Sequence, residues 1–125
     1  MTISKIDHVQ LAMPAGRERE AREFYAGVLE LEEVPKPPEL AKRGGAWFEK
    51  PGIKLHLGVD ADFRPARKAH PAFLVTDVVG LASKCRDAGY EVVDDDALAG
   101  FRRIYVHDPF GNRLEFMEPD ETPHA

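Results

Sequence analysis

The amino-acid sequence predicts an α+β fold in which two βαβββ modules follow one another along a chain of 125 residues. Three observations predict it: several short segments alternate apolar and polar residues, two segments have the spacing of amphipathic helices, and the two halves align with each other. The first module spans about residues 4–59 and the second about residues 69–119, with a linker at residues 60–68 and a frayed tail at residues 120–125. We therefore expect a single domain that buries its own hydrophobic core.

The first module begins with the alternating segment "ISKIDHVQLAM", which predicts a strand. "REREAREFYAGVLEL" repeats apolar residues at helical spacing and predicts an amphipathic helix over about residues 17–29, with Phe24 and Tyr25 in the core. "EEVPKPPELAKRGG" is rich in proline and predicts an irregular connection that starts with a short strand. "AWFEK" and "IKLHLGV" then predict a hairpin that turns at Pro51 and Gly52.

The second module repeats this order. "HPAFLV" predicts a strand, and "DVVGLASKCRDAG" predicts a helix that Asp77 caps and Gly89 ends. "YEVVDD", "FRRIYVHDP" and "NRLEFME" predict three further strands, the last of them after a turn at "DPFGN". Cys85 falls on the apolar stripe of the helix and is expected to be a small buried residue.

Composition excludes several classes of function. The formal net charge is -5, from 17 Lys and Arg against 22 Asp and Glu, and no basic face emerges, so neither nucleic acid nor an anionic membrane is an expected partner. The single cysteine excludes an internal disulfide. No apolar run approaches the ~18–20 residues of a membrane span, and the N-terminus lacks the apolar segment of an export signal, so we expect a cytoplasmic protein.

Four polar side chains occupy repeat-equivalent positions on one face of the predicted strands. His8 in "DHVQLAM" aligns with His70 in "AHPAFLV", and His56 in "PGIKLHL" aligns with Glu115 in "FGNRLEF". The opposite face of the same strands is apolar, and each module supplies one helix to cover it. Three imidazoles and a carboxylate that converge would form a divalent-metal site, and this nitrogen and oxygen donor set suits Zn, Ni, Mn, Fe or Co.

Ordinary structural roles could also explain these residues. Each histidine could be hydrogen-bonded without binding a ligand, and Glu115 could pair with Arg113 or Arg103 on a solvated face. His107 and His124 have no convergent partner in the predicted strands, so we expect them at the surface.

Three segments carry a resemblance to a known family. "IDHVQLAM", "FYAGVLEL" and "DPFGNRLEFME" resemble the vicinal oxygen chelate superfamily, which includes glyoxalase I, fosfomycin-resistance thiol transferases, extradiol dioxygenases and bleomycin-resistance binding proteins. The resemblance implies a curved, open mixed sheet around a cleft with helices on its outer face, assembled as a homodimer with modules paired within or across chains. It also implies metal ligands at His8, His70 and Glu115.

The sequence departs from that family at two positions. His56 stands where glyoxalase-like relatives usually have a glutamate ligand, so it either completes the metal site or lines the cavity. Glu30 stands where relatives commonly place glycine, which predicts a different turn.

Two functions follow from this resemblance. The first is a metalloenzyme that chelates vicinal oxygens of a small substrate, with isomerase or lyase, thiol transferase or dioxygenase chemistry. The alternative is a metal-free protein that binds and sequesters a small molecule, as bleomycin-resistance relatives do; a fold serving only as a dimer module is a third possibility. No catalytic residue beyond the ligands is assigned.

Further residues share strand parity with the expected ligands and are candidates for substrate binding. An arginine among them would favour an anionic substrate, and an aromatic ring would stack on a planar one. They are Gln10, Trp47, Arg103, Tyr105 and Arg113.

Overall fold

A computed structural model describes residues 1–120 of the chain. It divides into two compact units, the first of residues 1–66 and the second beginning at Arg67. His124 and all but the first residue of the expected frayed tail lie outside the described residues.

The first unit is a four-stranded sheet with helices between its first two strands and after the second. The strands stand in the order β1-β4-β3-β2, with β1 parallel to β4 and the other neighbours antiparallel. Its elements are β1 (Val9–Met13), α1 (Glu18–Arg22), which continues directly as a π-helical segment (Glu23–Val28), β2 (Glu32–Val34), α2 (Pro38–Ala41), β3 (Ala46–Lys50) and β4 (Ile53–Val59).

The helix and the sheet of this unit bury a shared aromatic core. Phe24 and Tyr25 are completely buried, and the Tyr25 ring stacks on Phe48 of β3 with 5.4 Å between centroids. Both aromatic residues belong to the π-helical segment, in which the Leu29 amide donates to the Phe24 carbonyl at 2.9 Å. The prediction that Phe24 and Tyr25 belong to the core is confirmed.

The second unit has the same strand arrangement. The order is β5-β8-β7-β6, with β5 parallel to β8 and the other neighbours antiparallel. Its elements are β5 (Ala72–Leu74), α3 (Val78–Asp87), β6 (Val92–Asp94), β7 (Phe101–His107) and β8 (Arg113–Pro119).

Helix α3 begins and ends where the sequence predicts. The Asp77 side chain accepts a hydrogen bond from the Gly80 amide at 2.9 Å, the contact of an N-terminal cap. Gly89 follows the helix with φ +91°, a left-handed conformation that glycine adopts at little cost. Cys85 is completely buried on this helix, and burial raises the pKa of its thiol.

Two expected strand positions are wrong. β1 begins at Val9 and β5 at Ala72, so His8 and His70 lie just before their strands rather than within them. At β5 the reason is Pro71, which has no N–H for the ladder and contributes only its carbonyl, to the Glu115 amide at 3.0 Å. At β1 the parallel register with β4 starts at the pair of Val9 and Leu55.

The connection between β2 and β3 contains a short helix that the sequence does not predict. α2 starts at Pro38, and proline suits the first turn of a helix because its missing N–H would have no partner there. The short strand expected at the start of this connection is β2. Before it, Glu30 has φ +59°, so this glutamate holds the left-handed conformation that glycine favours.

The pairing of residues between neighbouring strands shows that the second unit repeats the first. His56 of β4 pairs with Gln10 and Trp47 on its two sides, and Glu115 of β8 pairs with Ala72 and Tyr105 in the same way. His56 and Glu115 therefore occupy equivalent places in the two units.

The fold is α+β, with two βαβββ-like modules that each form an open, mixed, four-stranded sheet. No helix in residues 1–120 combines the length and the apolar character that crossing a bilayer requires.

Candidate functional site

In the second unit, His70 and Glu115 are in direct contact. The His70 Nε2 lies 2.8 Å from the Glu115 Oε1, and the Glu115 side chain is only 8% exposed. β8 brings the carboxylate to this position because Leu114 and Phe116 on either side of it turn into the core.

The other ring nitrogen of His70 fixes the tautomer. Its Nδ1–H donates to the Lys68 carbonyl at 2.7 Å, so in the neutral ring Nε2 carries a lone pair. That lone pair faces a carboxylate oxygen, an arrangement that needs either an additional proton or a cation held between the two groups. Histidines that bind metals commonly have their second ring nitrogen anchored to a backbone carbonyl in this way.

In the first unit, the Nδ1 of His8 is also hydrogen-bonded, in this case by the carboxylate of the adjacent residue. Its Nδ1 lies 3.0 Å from the Asp7 Oδ2, which leaves Nε2 as the nitrogen with the lone pair. This hydrogen bond, together with the charge of Lys54, lowers the pKa of the Asp7 carboxyl. In both histidines, which occupy equivalent positions, Nε2 is therefore the nitrogen that carries the lone pair.

Glu115 also belongs to an ion-pair network. The Arg103 Nη1 lies 3.5 Å from the Glu115 Oε2, and the Arg103 Nη2 donates to the Asp95 Oδ2 at 3.1 Å. Burial opposes the charged form of Arg103, but Asp95 and Glu115 outweigh it, and the pKa of this guanidinium is raised. The Ala97 amide and Arg103 hold the pKa of Asp95 below its usual range. The pairing of Glu115 with Arg103, expected from the sequence as an alternative to metal binding, is therefore present.

Tyr105 lies at the centre of this face of the second unit. It pairs with Glu115 across the strands, and its ring meets His70 edge to face with 5.4 Å between centroids. The Arg113 Cζ lies 4.8 Å from the centroid of the same ring, a cation–π distance. The Arg113 Nε is buried and has no hydrogen-bond partner in residues 1–120.

In the first unit, three rings form a stack. His56 lies between Trp47, with ring centroids 4.0 Å apart and planes within 7°, and His8, with centroids 4.5 Å apart and planes within 20°. His56 is buried, and in residues 1–120 its Nε2 has no hydrogen-bond partner. Burial and the neighbouring charge of His8 lower the pKa of His56, so the ring is neutral near pH 7.

Gln10 lies next to this stack in the sheet and is exposed. A side-chain carbon added at Gly58 would come within 2.8 Å of the Gln10 Nε2. The absence of a side chain at Gly58 therefore leaves the room in which the Gln10 amide lies.

Sequence reasoning missed one residue of the second unit's face. His107 is expected at the surface, but its side chain is only 24% exposed and lies directly across the strands from Arg113. Its buried Nδ1 is 3.8 Å from the Glu91 Oε2. Strand parity with Tyr105 is the signal that could have placed His107 on this face.

The structure thus brings the expected ligands together in pairs, His70 with Glu115 and His8 with His56. Taken alone, neither unit gathers three or more histidine, cysteine or carboxylate side chains that could hold a metal ion within residues 1–120.

Comparison with known proteins gives the family. The model of the Glyoxalase/Bleomycin resistance protein/Dioxygenase superfamily matches residues 5–116. The chain belongs to this superfamily. The resemblance found in the sequence is confirmed, and no curated protein matches the chain.

Solved structures of this superfamily agree. A glyoxalase family protein from Bacillus anthracis is 49% identical, with 96% of this chain and 98% of that chain covered and a TM-score of 0.91. A mutant of the fosfomycin resistance protein FosX from Listeria monocytogenes, complexed with Mn(II) and 1S,2S-dihydroxypropylphosphonic acid, is 17% identical, with 94% of both chains covered and a TM-score of 0.80. A glyoxalase/dioxygenase from Nostoc punctiforme is 22% identical, with 94% of this chain and 92% of that chain covered and a TM-score of 0.75.

The candidate donors of this superfamily member are of types that divalent metals accept. His70 and Glu115 face each other with a nitrogen lone pair and a carboxylate oxygen, and His8 presents the equivalent nitrogen in the first unit. Imidazole and carboxylate donors without a thiolate suit Zn, Ni, Mn, Fe or Co.

Proposed function

We propose that this chain is a divalent-metal-dependent enzyme of the glyoxalase superfamily that binds vicinal oxygens of a small substrate. The observation that carries the proposal is the contact between the His70 Nε2 and the Glu115 Oε1 at 2.8 Å, with the opposite ring nitrogen bound to a backbone carbonyl. The reaction class is that of a lyase or isomerase, a thiol transferase, or a dioxygenase.

In this proposal His8, His70 and Glu115 are the metal ligands. The anchoring of Nδ1 in both histidines supports it, because it fixes which nitrogen is offered to the ion. Glu115 is the one carboxylate among them and lowers the net charge of the bound ion. The complex of FosX with Mn(II) supports the choice of a divalent metal through the shared fold.

His56 lines the cavity in this proposal and does not bind the metal. The stack with His8 and Trp47 supports this role, because both faces of the His56 ring are already covered. With its pKa lowered by burial, His56 is a neutral ring in this wall of the cavity.

The bound metal would act as a Lewis acid on the oxygens it chelates. The residues of the chain supply the remaining functions. Trp47 and Tyr105 offer ring surfaces for a planar group, the amide of Gln10 offers a hydrogen-bond donor and acceptor, and Arg103 holds the Glu115 carboxylate in position.

A metal-free binding protein is the alternative, and the same network favours it. Glu115 contacts both His70 and Arg103, so its charge is compensated without a metal. In that case no metal lies between His70 and Glu115, and the polar face binds a small molecule directly.

Elemental analysis separates the two functions. Protein purified without chelator and dialysed against each candidate metal should retain about one metal ion per chain, and His70→Ala and Glu115→Gln should weaken the retained metal's affinity at least about tenfold. Glu39→Gln, which removes one exposed carboxylate elsewhere in the first unit, is the matched control and should change nothing. Retention of metal by both site variants, or its absence from the reconstituted wild type, would favour the binding protein.

We also propose that the protein is a homodimer, as the family resemblance implies. Exposed large apolar side chains support a dimer. Two precede the edge strand β1 of the first unit, and one lies on the edge strand β5 of the second. They are Ile3, Ile6 and Leu74.

A further inference from the structure

We propose that Arg113 and Tyr105 form a subsite for an anionic group of the substrate, a carboxylate or a phosphonate. This inference rests on the proposed function and narrows it. It makes the substrate a small molecule that carries a negative charge a few atoms away from the oxygens that the metal would chelate.

The two arginines on this face of the second unit differ in their partners. Arg103 is engaged by two carboxylates, Asp95 at 3.1 Å and Glu115 at 3.5 Å. Within residues 1–120, Arg113 has no carboxylate at ion-pair distance, and its guanidinium lies over the ring of Tyr105. Among residues 1–120, Arg113 is therefore the arginine on this face that no carboxylate pairs with.

At least one hydrogen-bond donor of the Arg113 guanidinium also has no acceptor within residues 1–120. Its Nε is buried without a hydrogen-bond partner, and a buried donor left unpaired costs free energy that a ligand acceptor would recover. A guanidinium binds carboxylates and phosphonates through two parallel N–H donors, and Nε supplies one of such a pair. The Tyr105 ring holds the group by a cation–π contact, so little side-chain freedom remains to be lost on binding.

The position of Arg113 fits a small substrate. Arg113 and Glu115 are two residues apart on β8 and share one face of the sheet, which places their Cα atoms about 7 Å apart. The side chain of Tyr105 pairs with Glu115 and lies against Arg113, so it spans the distance between the two. A substrate of a few carbon atoms could contact both ends.

Anion binding can be measured without the metal. In protein kept in chelator, the ¹H–¹⁵N resonance of the Arg113 side-chain Nε–H and the backbone amides of Tyr105 and Glu115 are followed by NMR. The probes are acetate, methylphosphonate and uncharged acetamide. We expect saturable shifts with one or both anions and none with acetamide, and the tighter anion identifies the charged group as carboxylate or phosphonate.

Two variants localise the binding. Arg113→Gln should weaken the anion at least about tenfold, and Arg113→Lys, which keeps the charge but loses the paired donors, should weaken it less. Arg102→Gln is the matched control, because Arg102 is an exposed arginine of β7 on the opposite side of the strand, and it should leave affinity within about twofold. The amide spectrum of each variant reports whether it is folded; if Arg113→Gln does not fold, the wild-type Nε–H shift and Arg113→Lys decide the question.

Three results would overturn the subsite: no saturable shift in the wild type, unchanged affinity in Arg113→Gln, or equal losses in Arg113→Gln and Arg102→Gln. Because the measurement excludes metal, a failed metal-binding experiment does not affect it. A failure to find the anion site would likewise not affect the measured metal stoichiometry.

Discussion

His56 shows how its surroundings change the chemistry of a single side chain. Its ring lies between Trp47 and His8, its Nε2 is buried, and burial together with the charge of His8 lowers its pKa. Since the unfolded chain binds this proton more tightly than the folded one, His56 contributes stability above about pH 6.5. That contribution is lost as pH falls through the folded-state pKa.

Trp47 should report this titration, because it is the single tryptophan and lies 4.0 Å from His56. A protonated imidazole quenches an excited indole, so fluorescence should fall on acidification with a midpoint below about 6.5. The midpoint should disappear in His56→Phe, which keeps a ring in the stack. His107→Phe in the second unit is the matched control; if it removed the transition as well, His56 would not be its source.

Which residues share a strand face could be predicted from the sequence, but their partners could not. Alternation placed Glu115 and Tyr105 on one face, because side chains in a strand point in turn to opposite sides. The anchoring of His70 by the Lys68 carbonyl depends on the path of the chain before β5, for which no sequence pattern exists. Nor could the sequence show that Asp95 pairs with Arg103 while no carboxylate among residues 1–120 pairs with Arg113.

At the scale of elements, the start of β3 depends on a close approach between two backbones. Gly45 has φ +85°, and a side-chain carbon there would lie 2.1 Å from the Leu57 carbonyl oxygen. Gly52 in the hairpin turn has a similar φ of +83° but nothing within 4 Å. Alanine substitutions at the two glycines therefore distinguish the free-energy cost of the backbone conformation from that of the steric contact.

Gly45→Ala should therefore destabilise the protein far more than Gly52→Ala. The conformational cost alone is about 1 kcal/mol for alanine at positive φ, and this is the loss expected for Gly52→Ala. Gly45→Ala adds displacement of β3 from β4, so we expect a loss of at least about 3 kcal/mol in the free energy of unfolding. Urea denaturation of both variants measures this, and equal losses would show that the contact relaxes freely.

Long elements with a clear period could be predicted, whereas their ends and the short elements could not. α3 was predictable because Asp77 and Gly89 mark its limits. α2 was not, since its four residues are too few for a helical period and the prolines at and before its start favour an irregular interpretation. The π-helical segment at Glu23–Val28 has the same apolar spacing as an ordinary helix, and only packing distinguishes the two.

At the scale of the whole molecule, the duplication explains why the candidate donors occur in pairs. Each unit places a histidine before its first strand and a polar side chain on the strand beside it, His8 with His56 and His70 with Glu115. Equivalent places have diverged in chemistry: His56 stacks between rings, whereas Glu115 joins an ion-pair network. The repeat was visible in the sequence because His8 and His70 are identical and polar residues recur at positions 56 and 115. The different surroundings of His56 and Glu115 depend on neighbours that are distant in sequence.

The exposed edges of the two sheets lead to a prediction about assembly. β1 and β5 are edge strands, and Leu74 of β5 is 70% exposed, which a protein normally avoids at an edge unless another chain covers it. Light scattering should therefore give a mass of twice the 14.0 kDa of one chain. Leu74→Lys should shift the equilibrium at least about tenfold toward monomer, because a lysine opposes edge pairing. Val79→Lys, at an exposed apolar residue of α3, should leave the dimer intact, and a monomeric wild type would disprove the assembly.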